Sequence, residues 1–227
     1  MPTGALPDVT PPIEDYLKAI YSAARDTGAA RISTSIVAER MAVSPASATN
    51  MMQKLAEMKL VEYLPYRGVA LTPAGEKIAL EVIRHHRLIE CYLAEALGFS
   101  WDAVHDEAER LEHVISEEFE DRIDAMLGYP TIDPHGDPIP PKSGRLPGAL
   151  TRPSRPLTDV AVGEAVVVER VSDRDAALLR RLAAIALVPG TAVTVVARSA
   201  SGRRLTISRL GESLSLDQAL AREVFVA

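Results

Sequence analysis

The stretch Ala42-Val43-Ser44-Pro45-Ala46-Ser47-Ala48-Thr49-Asn50, with the later run Leu60-Val61-Glu62-Tyr63-Leu64-Pro65-Tyr66-Arg67-Gly68-Val69-Ala70-Leu71, decides how the amino-terminal third reads. Ser33 precedes a short apolar-periodic run, Ile36 to Met41, which Ala42-Val43 breaks. Ser44 then offers an N-cap oxygen, and Pro45 fits the first helical position, where a missing N–H is no loss. This second helix is expected to reach about Met58, with Ala48, Met51, Met52 and Leu55 available for an inner face. The runs on either side of Pro65-Tyr66-Arg67-Gly68 predict strand, turn and strand, a small hairpin. Upstream, Ile13, Tyr16, Leu17, Ile20 and Tyr21 follow the i, i+3, i+4 spacing of an amphipathic helix from Ile13 to Ala24. Residues 1–12, with four prolines, read as a loose arm.

Two helices across a tight turn, followed by a hairpin, make a winged helix-turn-helix, whose second helix enters the major groove with its first residues at the base edges. Those residues are Ser44, Pro45, Ala46, Ser47, Thr49 and Asn50, all small or polar. Hydroxyls there can bind phosphates or bases, Asn can read adenine in a bidentate way, and Pro or Ala can meet a thymine methyl. Lys54 and Arg67, the latter beside Tyr66 at the wing tip, are natural phosphate contacts. Each of these alone is equally well a helix start or a solvated turn residue. Their order and spacing together carry the reading.

Thr72-Pro73 caps and opens a long helix to about Leu97, and a further helix is expected from about Trp101. Glu107 to Leu127 is strongly amphipathic. Residues 76–140 hold 5 Lys/Arg against 16 Asp/Glu, so the net charge of −6 reflects an acidic middle and is no argument for nucleic acid. All five histidines lie there, four of them (His85, His86, His105, His113) in its helical part. Glu109, Glu112 and His113 share one helix face at i, i+3, i+4, His105 lies one turn before Glu109, and His86 pairs with Glu90 at i, i+4. Carboxylates and imidazoles converging in this way are costly to desolvate unless a cation neutralises them. Oxygen donors with one or two nitrogens suit Mn²⁺ or Fe²⁺, and no sulfur stands at these positions. The plain alternative is a solvent-facing charged stripe. His85 and His135 lack such support and are expected to be structural or exposed.

The 227 residues, 47% of them apolar, suit two small domains or one large one. A single cysteine, Cys91, excludes an internal disulfide framework. No apolar run nears the ~20 residues that cross a bilayer, and the start lacks a basic-then-apolar signal pattern. A cytoplasmic protein is expected. Residues 129–158, rich in Pro, Gly and Asp, read as an irregular connector. Beyond Gly163 come a strand (Ala165–Val171), a helix (Ala176–Ala186), the turn Val188-Pro189-Gly190-Thr191, and short strands at Ala192–Ala197, Arg204–Ser208 and around Phe225. That is a barrel-like β domain of ~65 residues, near the lower limit for independent folding. Di-metal oxidases need Glu-x-x-His on two helices of a bundle, and no such pair occurs. Neither His-Glu-x-x-His nor Gly-x-Ser-x-Gly is present, so no enzyme is expected.

Three stretches resemble the diphtheria-toxin-repressor family of metal-dependent regulators, and more closely its manganese-responsive actinobacterial members. They are Ile13-Glu14-Asp15-Tyr16-Leu17-Lys18-Ala19-Ile20-Tyr21, His86-Arg87-Leu88-Ile89-Glu90, and His105-Asp106-Glu107-Ala108-Glu109-Arg110-Leu111-Glu112-His113. The connector Asp133-Pro134-His135-Gly136-Asp137-Pro138-Ile139-Pro140 matches as well. The resemblance implies a mainly α chain with a small β domain, divided into a winged helix-turn-helix (1–75), a helical dimerisation and metal-binding domain (76–140), a linker (141–158) and an SH3-like, ferrous-transport-A-like domain (159–227). It implies a homodimeric repressor of metal-homeostasis genes that binds double-stranded operator DNA when loaded with Mn²⁺. Fe²⁺ response, or metal-independent DNA binding, is the alternative.

The resemblance also implies a primary site of Asp15, Glu109, Glu112 and His113, where carboxylates replace the methionine and cysteine of iron-responsive relatives. An ancillary site would use His86, Glu90 and His105, completed by Glu169 and by Ser172 or Asp173. Lys18 stands where a two-domain manganese regulator has a glutamate, which argues against a closely spaced binuclear cluster of that kind. Because Asp15 precedes its partners by more than ninety positions, a shared ion would clamp the first helix and set two recognition helices ~34 Å apart.

Overall fold

A computed structural model describes residues 9–144, 154–173 and 176–227. Half of the expected linker 141–158 (residues 145–153), and the first eight residues of the expected arm, lie outside the described residues. The chain divides into two compact units, one of residues up to 85 with 140–144, the other of residues 86–139 with the carboxy-terminal part.

In the first unit α1 (Pro11–Thr27) begins two residues earlier than periodicity suggested, because Pro11 and Pro12 occupy first-turn positions that need no N–H donor. These two residues therefore belong to the helix and not to a loose arm. Ile13, Leu17, Ile20 and Ala23 are its buried face. The helix α2 (Thr34–Arg40) is capped by Ser33, whose hydroxyl accepts from the Ile36 amide. The helix α3 (Pro45–Glu57) is capped by Ser44 and buries Ala48, Met52 and Leu55. Strands β1 (Val61–Leu64) and β2 (Gly68–Leu71) pair antiparallel, and Ile32 adds a bridge to Val69. Gly68, at φ +90°, lies so close to Ile32 that a β-carbon would stand 2.4 Å from its carbonyl oxygen. Only glycine fits there, so this residue seats the wing.

The long helix α4 (Pro73–Glu95) supplies residues to both units. In the second unit the amphipathic stretch from Glu107 to Leu127 is not one helix. It breaks into α5 (Val104–Leu111) and α6 (Glu117–Met126), and Ser116 restarts the chain as an N-cap by accepting from the Phe119 amide. Leu88, Ile89, Leu93, Val104, Ala108 and Ile123 form the helical core. The described parts of the irregular connector carry more regular structure than their composition suggested. Ile132 bridges to Pro138, and β3 (Arg155–Pro156) opens a six-stranded antiparallel sheet.

That sheet has the order β3-β8-β4-β5-β6-β7. Its other strands are β4 (Ala165–Val171), β5 (Ala192–Arg198), β6 (Arg204–Arg209), β7 (Glu212–Asp217) and β8 (Val224–Val226). The helices α7 (Ala176–Ala184) and α8 (Gln218–Arg222) pack on a core that includes Val168, Leu179, Leu182, Val195, Ile207 and Val224. Sequence reading missed β7 and α8, although Glu212-Ser-Leu-Ser-Leu-Asp217 alternates as a strand should and Asp217 caps α8 by accepting from the Leu220 amide. In β4 a bulge falls between Val168 and Arg170, so Glu169 is an extra residue against β8.

Candidate metal centre

One turn of α4 places His86 and Glu90 on the same face, and α5 brings His105, Glu109 and Glu112 to them. Glu90 and Glu112 are fully buried and His86 nearly so. His86 Nε2 stands 3.0 Å from Glu90 Oε1 and 3.1 Å from His105 Nδ1, and His105 Nδ1 stands 3.2 Å from the same Glu90 oxygen. Donor atoms each about 2.1 Å from one hard cation stand about 3 Å from each other. On the opposite edge of the ring, His86 Nδ1 meets Glu112 Oε2 at 2.5 Å and Glu109 Oε1 at 3.7 Å. His113 Nε2 lies 3.5 Å from Glu112 Oε1.

Burial alone would raise the Glu90 carboxyl. The His86 charge and hydrogen bonds from His105, His135 and His86 outweigh it and hold the group well below the ordinary range. Glu90 is thus an anion, and its Oε2 is buried without a hydrogen-bond partner. An ionised, partly unsatisfied carboxylate beside two imidazoles, with no sulfur among the donors, fits a hard divalent ion.

Asp173 is the acid of the β domain that approaches this cluster: its Oδ2 lies 3.8 Å from His105 Nδ1. Glu169, expected in that role, joins neither this cluster nor any other His/Asp/Glu cluster among the described residues. The bulge explains the difference, because an inserted residue shifts the alternation of the strand and re-aims the side chains that follow. Ser172 is buried, and its amide donates to the Glu223 carbonyl. Asp15 lies half-buried on α1 in the first unit.

Sequence reasoning did not place His135 at the site. The ring is fully buried, and its Nδ1 stands 3.5 Å from Glu90 Oε1. The signal was present in Asp133-Pro134-His135-Gly136-Asp137, where a histidine sits inside a turn of acids. Cys91 is buried, and desolvation pushes its thiol well above the ordinary range, which leaves it inert.

The expected groove-reading residues occupy the start of α3 and the wing. Ser44, Pro45, Ala46, Ser47, Asn50, Lys54, Tyr66 and Arg67 are exposed, and Thr49 is partly so. Ser44 Oγ accepts from the Ser47 amide at 3.1 Å, and Thr49 donates its hydroxyl to the Pro45 carbonyl at 2.8 Å. Both oxygens keep lone pairs, but the Thr49 proton is committed to its own helix. Tyr66, at φ +64°, is the wing tip.

A winged helix, a cluster of nitrogen and oxygen donors on a helical pair, and a small antiparallel β domain define a metal-dependent DNA-binding regulator. Comparison with known proteins bears this out. Residues 8–69 match the "Iron dependent repressor, N-terminal DNA binding domain" family, 72–141 match "Iron dependent repressor, metal binding and dimerisation domain", and 155–227 match the "FeoA domain". The iron-dependent repressor IdeR of Mycobacterium tuberculosis is 33% identical over 226 residues, covering 94% of this chain and 95% of the relative. The regulator MntR of Bacillus pumilus is 38% identical over 120 residues, 53% of this chain and 81% of the relative. A solved "manganese-dependent transcriptional repressor complex with manganese" superposes with a TM-score of 0.86 at 39% identity, over 95% of this chain and 99% of that one. The chain belongs to the diphtheria-toxin-repressor family. This is a family of metal-dependent transcriptional repressors and not of enzymes, and it binds DNA and dimerises. Among the described residues no helix is long and apolar enough to cross a membrane.

Proposed function

We propose that this repressor responds to Mn²⁺ and, loaded with it, binds operator DNA as a homodimer in the cytoplasm to control metal-homeostasis genes. The supporting observation is the donor set: His86, Glu90 and His105 within 3.2 Å of one another, joined by Asp173, all oxygen and nitrogen. Such donors suit a hard ion of flexible geometry, whereas thiolates would favour softer ones.

The primary site of Asp15, Glu109, Glu112 and His113 is part of this proposal and rests on the sequence resemblance. Its members on and after α5 supply a buried carboxylate at Glu112, a partly buried imidazole at His113 and an accessible carboxylate at Glu109. A divalent cation, when bound, supplies positive charge that lets these carboxylates converge. Asp15 then ties α1 to the residues that follow α5, while Ser44 to Asn50 face the major groove and Lys54 and Arg67 the phosphates. Metal and DNA thereby raise each other's affinity by the same factor.

Affinity for operator DNA, measured by fluorescence anisotropy with Mn²⁺, Fe²⁺ under anaerobic conditions and Zn²⁺ in separate titrations, tests the assignment. Activation by Mn²⁺ at the lowest free concentration of the three supports it, and equal affinity with and without any metal overturns it. Response to Fe²⁺ is the second reading, favoured by the near full-length similarity to the iron-dependent repressors. A lower half-activating concentration for Fe²⁺ than for Mn²⁺ decides for that reading.

A further inference from the structure

The buried positions of α3 fix which of its sides faces out. Ala48, Met52 and Leu55 enter the core of the first unit at i, i+4, i+7. The opposite face is the line of Ser47, Asn50, Gln53, Lys54 and Glu57, all of them exposed. Gln53 is not among the residues that sequence reading assigns to the groove. It nevertheless lies on this line, one helical turn beyond Asn50 and beside Lys54.

The polar groups at the start and along the outer face of α3 are not equivalent. Ser44 Oγ and Ser47 Oγ stand 2.9 Å apart and bond one another, Ser44 Oγ also accepts from the Ser47 amide, and the Thr49 hydroxyl donates to the Pro45 carbonyl. All three hydroxyls are thus engaged in capping and bracing the first turns of their own helix. A hydroxyl also rotates to donate or to accept, so it discriminates weakly between bases. Lys54 offers donors around a point charge, which suits a phosphate. The Asn50 and Gln53 carboxamides make no hydrogen bond to the described residues. Each holds a donor and an acceptor side by side in one plane. That pair matches the N6–H donor and N7 acceptor of adenine in the major groove, where guanine presents two acceptors.

Spacing sets the reach of the two amides. Three residues of helix rise about 4.5 Å, and base pairs stack about 3.4 Å apart, so amides at i and i+3 meet base pairs one or two steps apart. A recognition helix enters the groove with its first residues, and later positions stand farther from the groove floor. The side chain of Gln53 is longer than that of Asn50 by one methylene, which compensates for that distance. Glu57, one turn further on and exposed, ends the series, because a carboxylate against phosphates is repulsive.

We propose that Gln53 is a specificity-determining residue of this repressor, which reads an adenine next to, or one base pair removed from, the adenine read by Asn50. The two amides, and not the hydroxyls at the start of α3, then set the A·T positions of each operator half-site. The inference deepens the operator-binding reading and rests on it.

Selection of bound duplexes from a random-sequence library, run on the full chain with Mn²⁺ and again without metal, tests it. The parent is expected to enrich half-sites that hold two adenines one or two base pairs apart. Gln53→Ala should lose the preference at one of them by about tenfold and keep the rest of the motif. Its melting temperature and Mn²⁺ stoichiometry should match the parent's, since the side chain is exposed. Asn50→Ala should relax the other position. Gln53→Lys should move the preferred base at the Gln53 position from adenine to guanine, whose two acceptors a lysine meets, a switch that a merely structural role does not produce. A Gln53→Ala motif identical to the parent's, with affinity lowered evenly over all sequences or not at all, makes Gln53 a phosphate or solvent contact and overturns the proposal. A parent that enriches no sequence under either condition sinks the operator-binding reading itself, and this inference with it.

Discussion

His86 Nδ1 lies 2.5 Å from Glu112 Oε2, with both side chains buried, while the other nitrogen of the ring faces Glu90. One imidazole thus separates two buried carboxylates, each of which belongs to a different expected ion site. His86→Ala leaves both acids facing each other across a void. Loss of one member of a buried charged network costs about 3 kcal/mol or more. The metal-free variant is expected to unfold at markedly lower urea concentration than the parent, and its Mn²⁺ binding should fall by at least one ion per chain.

Removal of metal has a pH signature. In the metal-free chain His135 keeps its proton up to about pH 9, against 6.5 in the ordinary state, because its contacts with Glu90 and Asp133 outweigh burial. Burial and the Glu90 charge, opposed by Arg87, push Asp133 up to about 8 from 3.8. Both shifts mean that the folded state holds more protons than the unfolded one across pH 6.5 to 8. Stability therefore falls as pH rises through that window, and the His135 contribution is gone above about pH 9. The depressed Glu90 contributes in the opposite sense, with stability present above its ordinary 4.5 and lost in acid. Urea unfolding from pH 6 to 9.5 without metal checks this, and His135→Gln should flatten the decline.

Gly68→Ala tests the wing. The added methyl would meet the Ile32 carbonyl at 2.4 Å, in a backbone conformation that L residues avoid. The left-handed geometry costs roughly 1–2 kcal/mol before the clash is counted. Lower thermal stability and weaker DNA binding are expected, with Mn²⁺ stoichiometry unchanged.

Arg67→Ala and Lys54→Ala should weaken DNA binding by similar factors on different sequences. Each should reduce the slope of log affinity against log salt by about 1, as loss of one phosphate contact does. A change in sequence preference with an unchanged slope would show that these side chains read bases instead.

Ser116→Ala should destabilise the chain by about 1 kcal/mol through loss of the cap on α6, where the hydroxyl accepts from the Phe119 amide. Circular dichroism during urea unfolding measures the shift in midpoint. An unshifted midpoint would mean that tertiary packing alone sets where α5 and α6 separate.

Local signals decided much of the fold. Ser44-Pro45 starts α3 where its cap and proline place it, and the i, i+4 spacing of His86 and Glu90 puts both on one face of α4. A cap at Ser116 was equally local but was overshadowed by an amphipathic pattern that runs across the break, since periodicity measures which face is apolar and not whether the axis continues. β7 went unread for a related reason: its alternating residues are short and polar, a weak signal without a partner strand.

The choice of metal donors divides along the same line. Nitrogen and oxygen chemistry is written in His86 and Glu90 and again in His105, Glu109, Glu112 and His113, because helical spacing gathers each group on one face of its own segment. That Asp173 and not Glu169 meets His105, and that His135 turns its Nδ1 toward Glu90, was decided by the tertiary structure. A bulge in β4 and a turn clipped to a neighbouring strand set those positions, and both arise from pairing between segments far apart in the chain, which no local period records.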